Sequence, residues 1–321
     1  MVQKTHGEAR LLSNNNEYLT LKEKQENPQL RLYKTMESLS AFELLEIATS
    51  AKNKQQREFA VHLLGLNNRS SQKIKSTLWE ISSYDHSSIR KTAYWSLAKL
   101  NEKKVIPSLL ELLTSDITDY DKSITINLLG KIGDEQVIKP LVKISATTKD
   151  RTIISAGMAI HQVIRRIGIE SLICLLLDEE LEMRKETIWL LSSRARFLSK
   201  TSERKKIIDA LTNHLQKEKD LTAKSILAFN LSTLNIIEGS KELLLLCLAN
   251  NVASEFTTTY WNEVVRAFVY RQKEISLKLV EKSIQALTTG QNQNKESKQT
   301  KKNLLKLKKS LKKLDKIFDV I

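Results

Sequence analysis

Lysine and arginine are the residues with the plainest chemistry to offer in this 321-residue sequence. They number 52 against 37 aspartates and glutamates, for a net charge of +15. Such a chain attracts anions, whether nucleic acid, an anionic membrane or an acidic protein, unless the lysines serve only as a solvated surface. A basic residue recurs at Arg57, Arg90, Lys122 and Arg184, with Lys224 a looser fifth, and the first three stand 33 and 32 residues apart. Such a row could contact a run of anions. A second concentration comprises Arg194, Arg196, Lys200, Arg204, Lys205 and Lys206. These can bind phosphates from a loop, or complement the negative end of a helix. The third is C-terminal. From Lys295 to Ile321 ten lysines face three acids, which gives +7 and leaves +8 for residues 1–294. Lys301, Lys302, Lys308, Lys309, Lys312 and Lys313 belong to it. Leu304, Leu307, Leu311, Leu314 and Phe318 recur at three- and four-residue steps. That spacing predicts a basic amphipathic helix for an anionic membrane surface, an acidic protein or nucleic acid, or a cap docked on the preceding helices.

Catalytic patterns are missing from the sequence. It contains no Gly-rich phosphate loop, HExxH or GxSxG, and no His/Cys set with metal-ligand spacing. No catalytic, cofactor or metal residue is therefore assigned, and no cofactor is expected. Cys174 and Cys247 lie in leucine-rich runs and are expected as buried free thiols. The N-terminus has no apolar signal core, and no apolar run approaches the length of a membrane span. A cytoplasmic, reducing location is expected.

These residues must be positioned by helices. Tyr120 to Ile144 reads as two short helices with a break at Gly133–Asp134. Leu128, Leu129 and Ile132 end one apolar stripe; Val137, Ile138, Leu141, Val142 and Ile144 form the next. Asp134 suits the free N–H groups that open the second helix. Gly130 and Gly133 allow close packing and a turn. Such a pair cannot cover its own apolar face, and similar pairs adjoin it. REFAVHLLG from Arg57, RKTAYWSLA from Arg90 and KSITINLLG from Lys122 align, as do VIPSLLELL from Val105 and VIKPLVKI from Val137. Pro107 and Pro140 both sit in a first turn, where a missing N–H costs little. Periods of this size, one helical hairpin each, mark stacked α-repeats.

Helices are predicted at about 41–50, 54–66, 71–82, 87–100, 103–115, 119–132, 135–146, 150–166, 169–178, 181–198, 202–217, 221–233, 238–250, 253–270 and 272–288. Ser40 with Glu43 has capping-box spacing before the first. The period is tight over 54–146 and stretches after Asp150. The expected organisation is a polar extension at 1–36, an irregular or loosely helical lead-in; a repeat array at 37–289; a linker at 290–300; and the basic helix at 301–321.

The pattern of a basic residue, small and apolar residues, LG-x-IG and then V-I-x-P resembles HEAT repeats. It is closest to the short bacterial type known from phycobilin lyases. Gly130 to Leu141 is a near-complete match, 54–82 and 86–115 match well, and looser copies extend to about Asn235. The resemblance implies an all-α, right-handed α-solenoid (superhelix) of HEAT-like helical hairpins. It implies architecture more than activity, because such repeats serve many functions. It also implies that Arg57, Arg90, Lys122 and Arg184 form a structural ladder, each bridging to an acid or carbonyl of the adjacent repeat. Second helices would line the concave face, presenting Lys75, Trp79, Lys104, Ser108, Glu111, Lys139 and Lys143 to a partner. An outward Trp79 would anchor a partner or stack on a base; a one-residue shift would bury it. Trp95, Trp189 and Trp261 lie on apolar faces and are expected in the core.

Within the resembling proteins, di-iron hydroxylases use repeated His-Glu pairs. Here His6, His62, His86, His161 and His214 are never followed by Glu. A HEAT-like glycosylase would need an Asp beside exposed aromatics, and none can be placed by Trp79. Phycobilin lyase-type activity stays as a lesser alternative. The expectation is a non-catalytic scaffold engaging an acidic or extended protein through its concave face, with nucleic-acid binding as the alternative.

Overall fold

The computed structural model describes residues 28–66, 71–148, 152–199 and 201–248, together with Leu305. No strand occurs among them; the fold is all-α, built of stacked helical hairpins. The expected linker and C-terminal lysines (Lys301, Lys302, Lys308, Lys309, Lys312 and Lys313) lie outside the described residues. So do Lys200, Trp261 and the helices expected at 253–288. Two compact units divide the chain, Met1–Gly168 and Ile169–Ile321.

The first unit holds α1 (Pro28–Glu37), α2 (Ala41–Ser50), α3 (Lys54–Leu66), α4 (Gln72–Tyr84), α5 (Ser87–Lys99), α6 (Ile106–Thr114), α7 (Asp119–Ile132), α8 (Ile138–Thr147) and α9 (Thr152–Ile167). α1 falls at the end of the stretch expected to be irregular or loosely helical. Pro28 stands at its first residue, where proline's fixed φ suits a helix start, and Leu30 and Met36 are buried. Helix starts follow local capping. Ser40 and Glu43 form a reciprocal capping box, Ser71 caps α4 and Thr118 caps α7. Single 3₁₀ turns, Lys103–Val105 and Glu135–Val137, lead into α6 and α8.

α3, α5, α7 and α9 pack side by side, each with the next. Their buried faces carry Leu63, Leu64, Ile89, Leu97, Ile126, Leu129 and Ile160. Hydrophobic burial at roughly 25 cal/mol per Å² is the main stabilising term. Two glycines set how near neighbours come. A Cβ on Gly65 would lie 2.6 Å from Ser96 Cβ, and one on Gly130 2.8 Å from the Ala159 backbone. The approach is secured by polar links. Ser96 Oγ donates to the Val61 carbonyl at 2.8 Å, and Trp95 Nε1 donates to Thr125 Oγ1 at 3.0 Å, both buried. Arg166 donates to the Gly130 and Gly133 carbonyls at 2.8 Å each, which closes the end of α7.

The second unit holds α10 (Glu170–Cys174), α11 (Leu181–Phe197), α12 (Ser202–Leu215), α13 (Leu221–Thr233) and α14 (Ile237–Leu248). α11 packs on α12 and α13, and α13 on α14. Cys174, expected buried, is exposed. α10 ends there, and a 3₁₀ turn, Leu175–Leu177, redirects the chain so that Leu175 and Leu176 face inward instead. Trp189, expected in the core, is 51% exposed. Ile188, Leu190 and Leu191 around it are buried, and four consecutive apolar residues cannot share one helix face.

Candidate functional site

A cleft of about 450 Å³ opens in the first unit between α5, α6 and the start of α7. α5 contributes Arg90, Lys91 and Tyr94 to its lining; α6 contributes Ser108, Glu111 and Leu112. The loop from Ser115 to Thr118, together with Asp121, closes one end. The Thr118 hydroxyl accepts from Asp121 N–H, fixing where that loop becomes helix. Lys91 Nζ reaches Asp121 Oδ2 at 2.6 Å, so these two charges offset each other. Arg90 is exposed and has no partner among the described residues; Glu111 and Asp116 are exposed too. The lining therefore mixes one free guanidinium, acidic oxygens, hydroxyls and the apolar Leu112 and Ile117. It can bind a segment that presents both signs and backbone hydrogen bonds.

Of the residues expected to face a partner, Glu111 and Ser108 line this cleft. Lys104, Lys139 and Lys143 are exposed but do not line it. Lys75 is held by Glu102 at 3.2 Å, and Trp79 is half-buried. The expected ladder divides. Arg57 pairs with Asp85 and donates to the Ala48 carbonyl at 3.4 Å. Arg184 grips Glu218 through two nitrogens at 2.9 and 3.2 Å and donates to the Asp178 and Glu179 carbonyls. Arg90 and Lys122 make no such bridge among the described residues; Lys91 makes the inter-helix pair instead.

The basic stretch near 200 is largely spoken for. Arg194 pairs with Glu203 at 3.0 Å, and Arg196 donates to Asn230 Oδ1 at 2.7 Å. Arg204 donates to the Ala195 carbonyl at 3.2 Å, and Lys206 pairs with Glu170. Lys205 is exposed. Internal partners therefore engage Arg194, Arg196, Arg204 and Lys206 of that stretch.

Two buried polar groups went unnoticed in the sequence. In the second unit Glu218 accepts from Arg184, from Asp220 N–H at 2.9 Å and from His214 Nε2 at 3.0 Å. Burial pushes His214 down, outweighing the carboxylate beside it. Burial would raise Glu218, but the Arg184 hydrogen bonds, the Asp220 N–H and the Arg184 charge together hold it low. In the first unit Tyr33 Oη lies 3.1 Å from His62 Nδ1, and His62 Nε2 lies 2.9 Å from Lys99 Nζ. His62 falls in the run VHLLG, where a lone histidine carries no pattern; its partners come from 29 residues before and 37 after.

A family model described as HEAT repeats matches residues 42–128. No curated protein matches the chain. YibA of Escherichia coli is similar in structure at 16% identity and a TM-score of 0.33, over 87% of this chain and 97% of that one. The complex of CpcE and CpcF of phycocyanin lyase from Nostoc sp. PCC7120 is similar at 12% identity and a TM-score of 0.36, over 85% and 95%. An engineered protein is similar at 15% identity and a TM-score of 0.33, over 94% and 98%. Residues 42–128 are thus HEAT repeats, in an all-α chain of stacked helical hairpins.

Proposed function

We propose that this chain is a non-catalytic binding scaffold for an extended polypeptide with acidic side chains. The observation that carries this reading is the cleft between α5, α6 and α7, where an unpartnered Arg90 stands among hydroxyls and acidic oxygens. A carboxylate of the partner meets Arg90, and its backbone meets the hydroxyls. A nucleic-acid groove would instead gather free cations of one sign, and most arginines near 200 are engaged within the chain. No helix among the described residues is long and apolar enough to cross a membrane. The exposed, unpaired Cys174 fits a reducing cytoplasmic setting.

A random-peptide library panned against the full chain tests this. Enriched sequences are expected to be acidic, to bind with a shallow salt dependence, and to lose binding to Arg90→Glu and Tyr94→Ala variants. Ligands that bind both variants as well as the wild type would remove the cleft from the proposal. A DNA or RNA oligonucleotide that binds more tightly, with affinity falling steeply with salt, would overturn it in favour of nucleic acid.

A further inference from the structure

Several partly buried cations among the described residues have carboxylate counter-charges. Arg57 has Asp85, Lys75 has Glu102, Lys91 has Asp121 and Arg184 has Glu218. Lys99 does not. It is half-buried at the last residue of α5, and its one partner among the described residues is the neutral face of His62 Nε2. Lys131, at the equivalent place 32 residues later on α7, is exposed, and its charge bears on Lys99. It also lacks a carboxylate partner among the described residues. Burying a cation without its counter-ion is unfavourable, and two like charges side by side add to the cost.

The Lys99 ammonium keeps donors for a ligand atom. An ammonium carries three N–H donors, and one goes to His62. With Nε2 accepting, neutral His62 carries its proton on Nδ1 and donates it to Tyr33 Oη, an assignment made from the network. The imidazole is 6% exposed and wedged between α1 and α5, so the Lys99 amine is tethered on one side and has donors to spare.

We propose that Lys99 and Lys131 form a receiving site for a carboxylate of an acidic polypeptide, with His62 and Tyr33 as positioning residues that hold the Lys99 amine. The inference takes its partner class from the scaffold reading above. It is a separate contact from the cleft, because Arg90 and Lys99 are nine residues apart and so project from opposite faces of α5. Two free cations suit a point contact with a side-chain carboxylate. A phosphate backbone would need a longer row, and Glu37, whose charge reaches Tyr33, would oppose it.

The site has a protonic signature. Burial, with the Lys131 charge second, brings Lys99 down to about 8. A seated carboxylate favours the ammonium and raises it again, so binding near pH 8 takes up about half a proton. Affinity is full below that range and falls as pH rises through it. The neighbouring groups do not interfere: burial, helped by the Lys99 charge, pushes His62 down to about 3, and burial, helped by Glu37, pushes Tyr33 up to about 12.

The test is calorimetry of the full chain with a twelve-residue glutamate-rich peptide. It is run at pH 6 to 9 in HEPES and in Tris, whose ionisation enthalpies differ, with an oligo-dT of equal charge alongside. Lys99→Gln is expected to weaken binding roughly tenfold and Lys131→Gln roughly threefold. Lys99→Arg keeps affinity but loses the proton uptake, since a guanidinium does not titrate. Circular dichroism confirms that each variant folds. Unchanged binding by Lys99→Gln, proton uptake persisting in Lys99→Arg, tighter binding of oligo-dT, or no peptide binding would each overturn the proposal. If Arg90→Glu abolishes binding while Lys99→Gln does not, the scaffold reading stands and this site falls. The reverse pattern keeps this site and removes the cleft.

Discussion

Replacing His62 with glutamine should make the first unit less sensitive to acid. The imidazole is 6% exposed and burial pushes it down to about 3, from 6.5 in the unfolded chain. A folded-state value below the unfolded one means that the unfolded chain binds the proton first. The stability His62 confers is complete above pH 6.5 and drains away as pH falls toward 3. At pH 4.5, two units into that window, the loss is about 2.5 kcal/mol. The introduced amide can still accept from Lys99 and donate to Tyr33, but it has no proton to gain. Urea unfolding followed by far-ultraviolet circular dichroism at pH 7 and pH 4.5 gives the stability lost by each protein. Carboxylates common to both cancel in the difference, and the wild type should lose about 2.5 kcal/mol more than His62→Gln. The His62 ring resonances should also stay those of a neutral imidazole to below pH 4. Parallel losses in the two proteins, or a ring that protonates near pH 6, would refute the buried neutral network.

Glu218→Gln leaves the Arg184 guanidinium without its counter-charge beside a buried site, and should cost about 3–5 kcal/mol in a thermal melt. Arg57→Ala should cost about 2 kcal/mol by stranding the Asp85 carboxylate, while Arg90→Ala should leave melting within about 0.5 kcal/mol. Gly130→Ala should destabilise by about 1–3 kcal/mol, because its new methyl meets Ala159 backbone atoms that cannot swing aside; melting will show it. Cys174 should react with a thiol-specific chromogenic reagent in native buffer at the pace of a free thiol, without denaturant.

What the sequence disclosed was whatever is decided locally. Ser40 with Glu43 marked the start of α2, and 54–66, 119–132 and 221–233 were predicted with the bounds the helices have. Caps and apolar periodicity act within a few residues of one another, so they can be read in a line of text. The 3₁₀ entries to α6 and α8 lay inside predicted helices because a tighter turn leaves the apolar spacing almost unchanged. Trp189 and Cys174 went wrong for a related reason. Where apolar residues run consecutively, their spacing does not say which one faces out.

The candidate site was less legible. Arg90 drew notice as a repeated basic residue, yet it stands free while Lys91 next to it crosses to Asp121. Their roles depend on how α5 is rotated against α7, and one residue of rotation exchanges them. Tyr33, His62 and Lys99 meet only because three helices bring them to one end of a layer. Arg196 and Lys206 looked available because Asn230 and Glu170, which engage them, lie more than thirty residues away.

Gly65 lying against Ser96, and Gly130 against Ala159, make each hairpin keyed to its own successor. Excising residues 86–117, one full period, would bring α7 beside α3 and set Leu128 where Ser96 had been. A leucine cannot occupy a gap sized for a hydroxymethyl group, so the shortened chain would have to pull its helices apart or slide them. Lineages of this protein should then change length at the ends of the array, and vary inside it by paired substitutions at facing small residues.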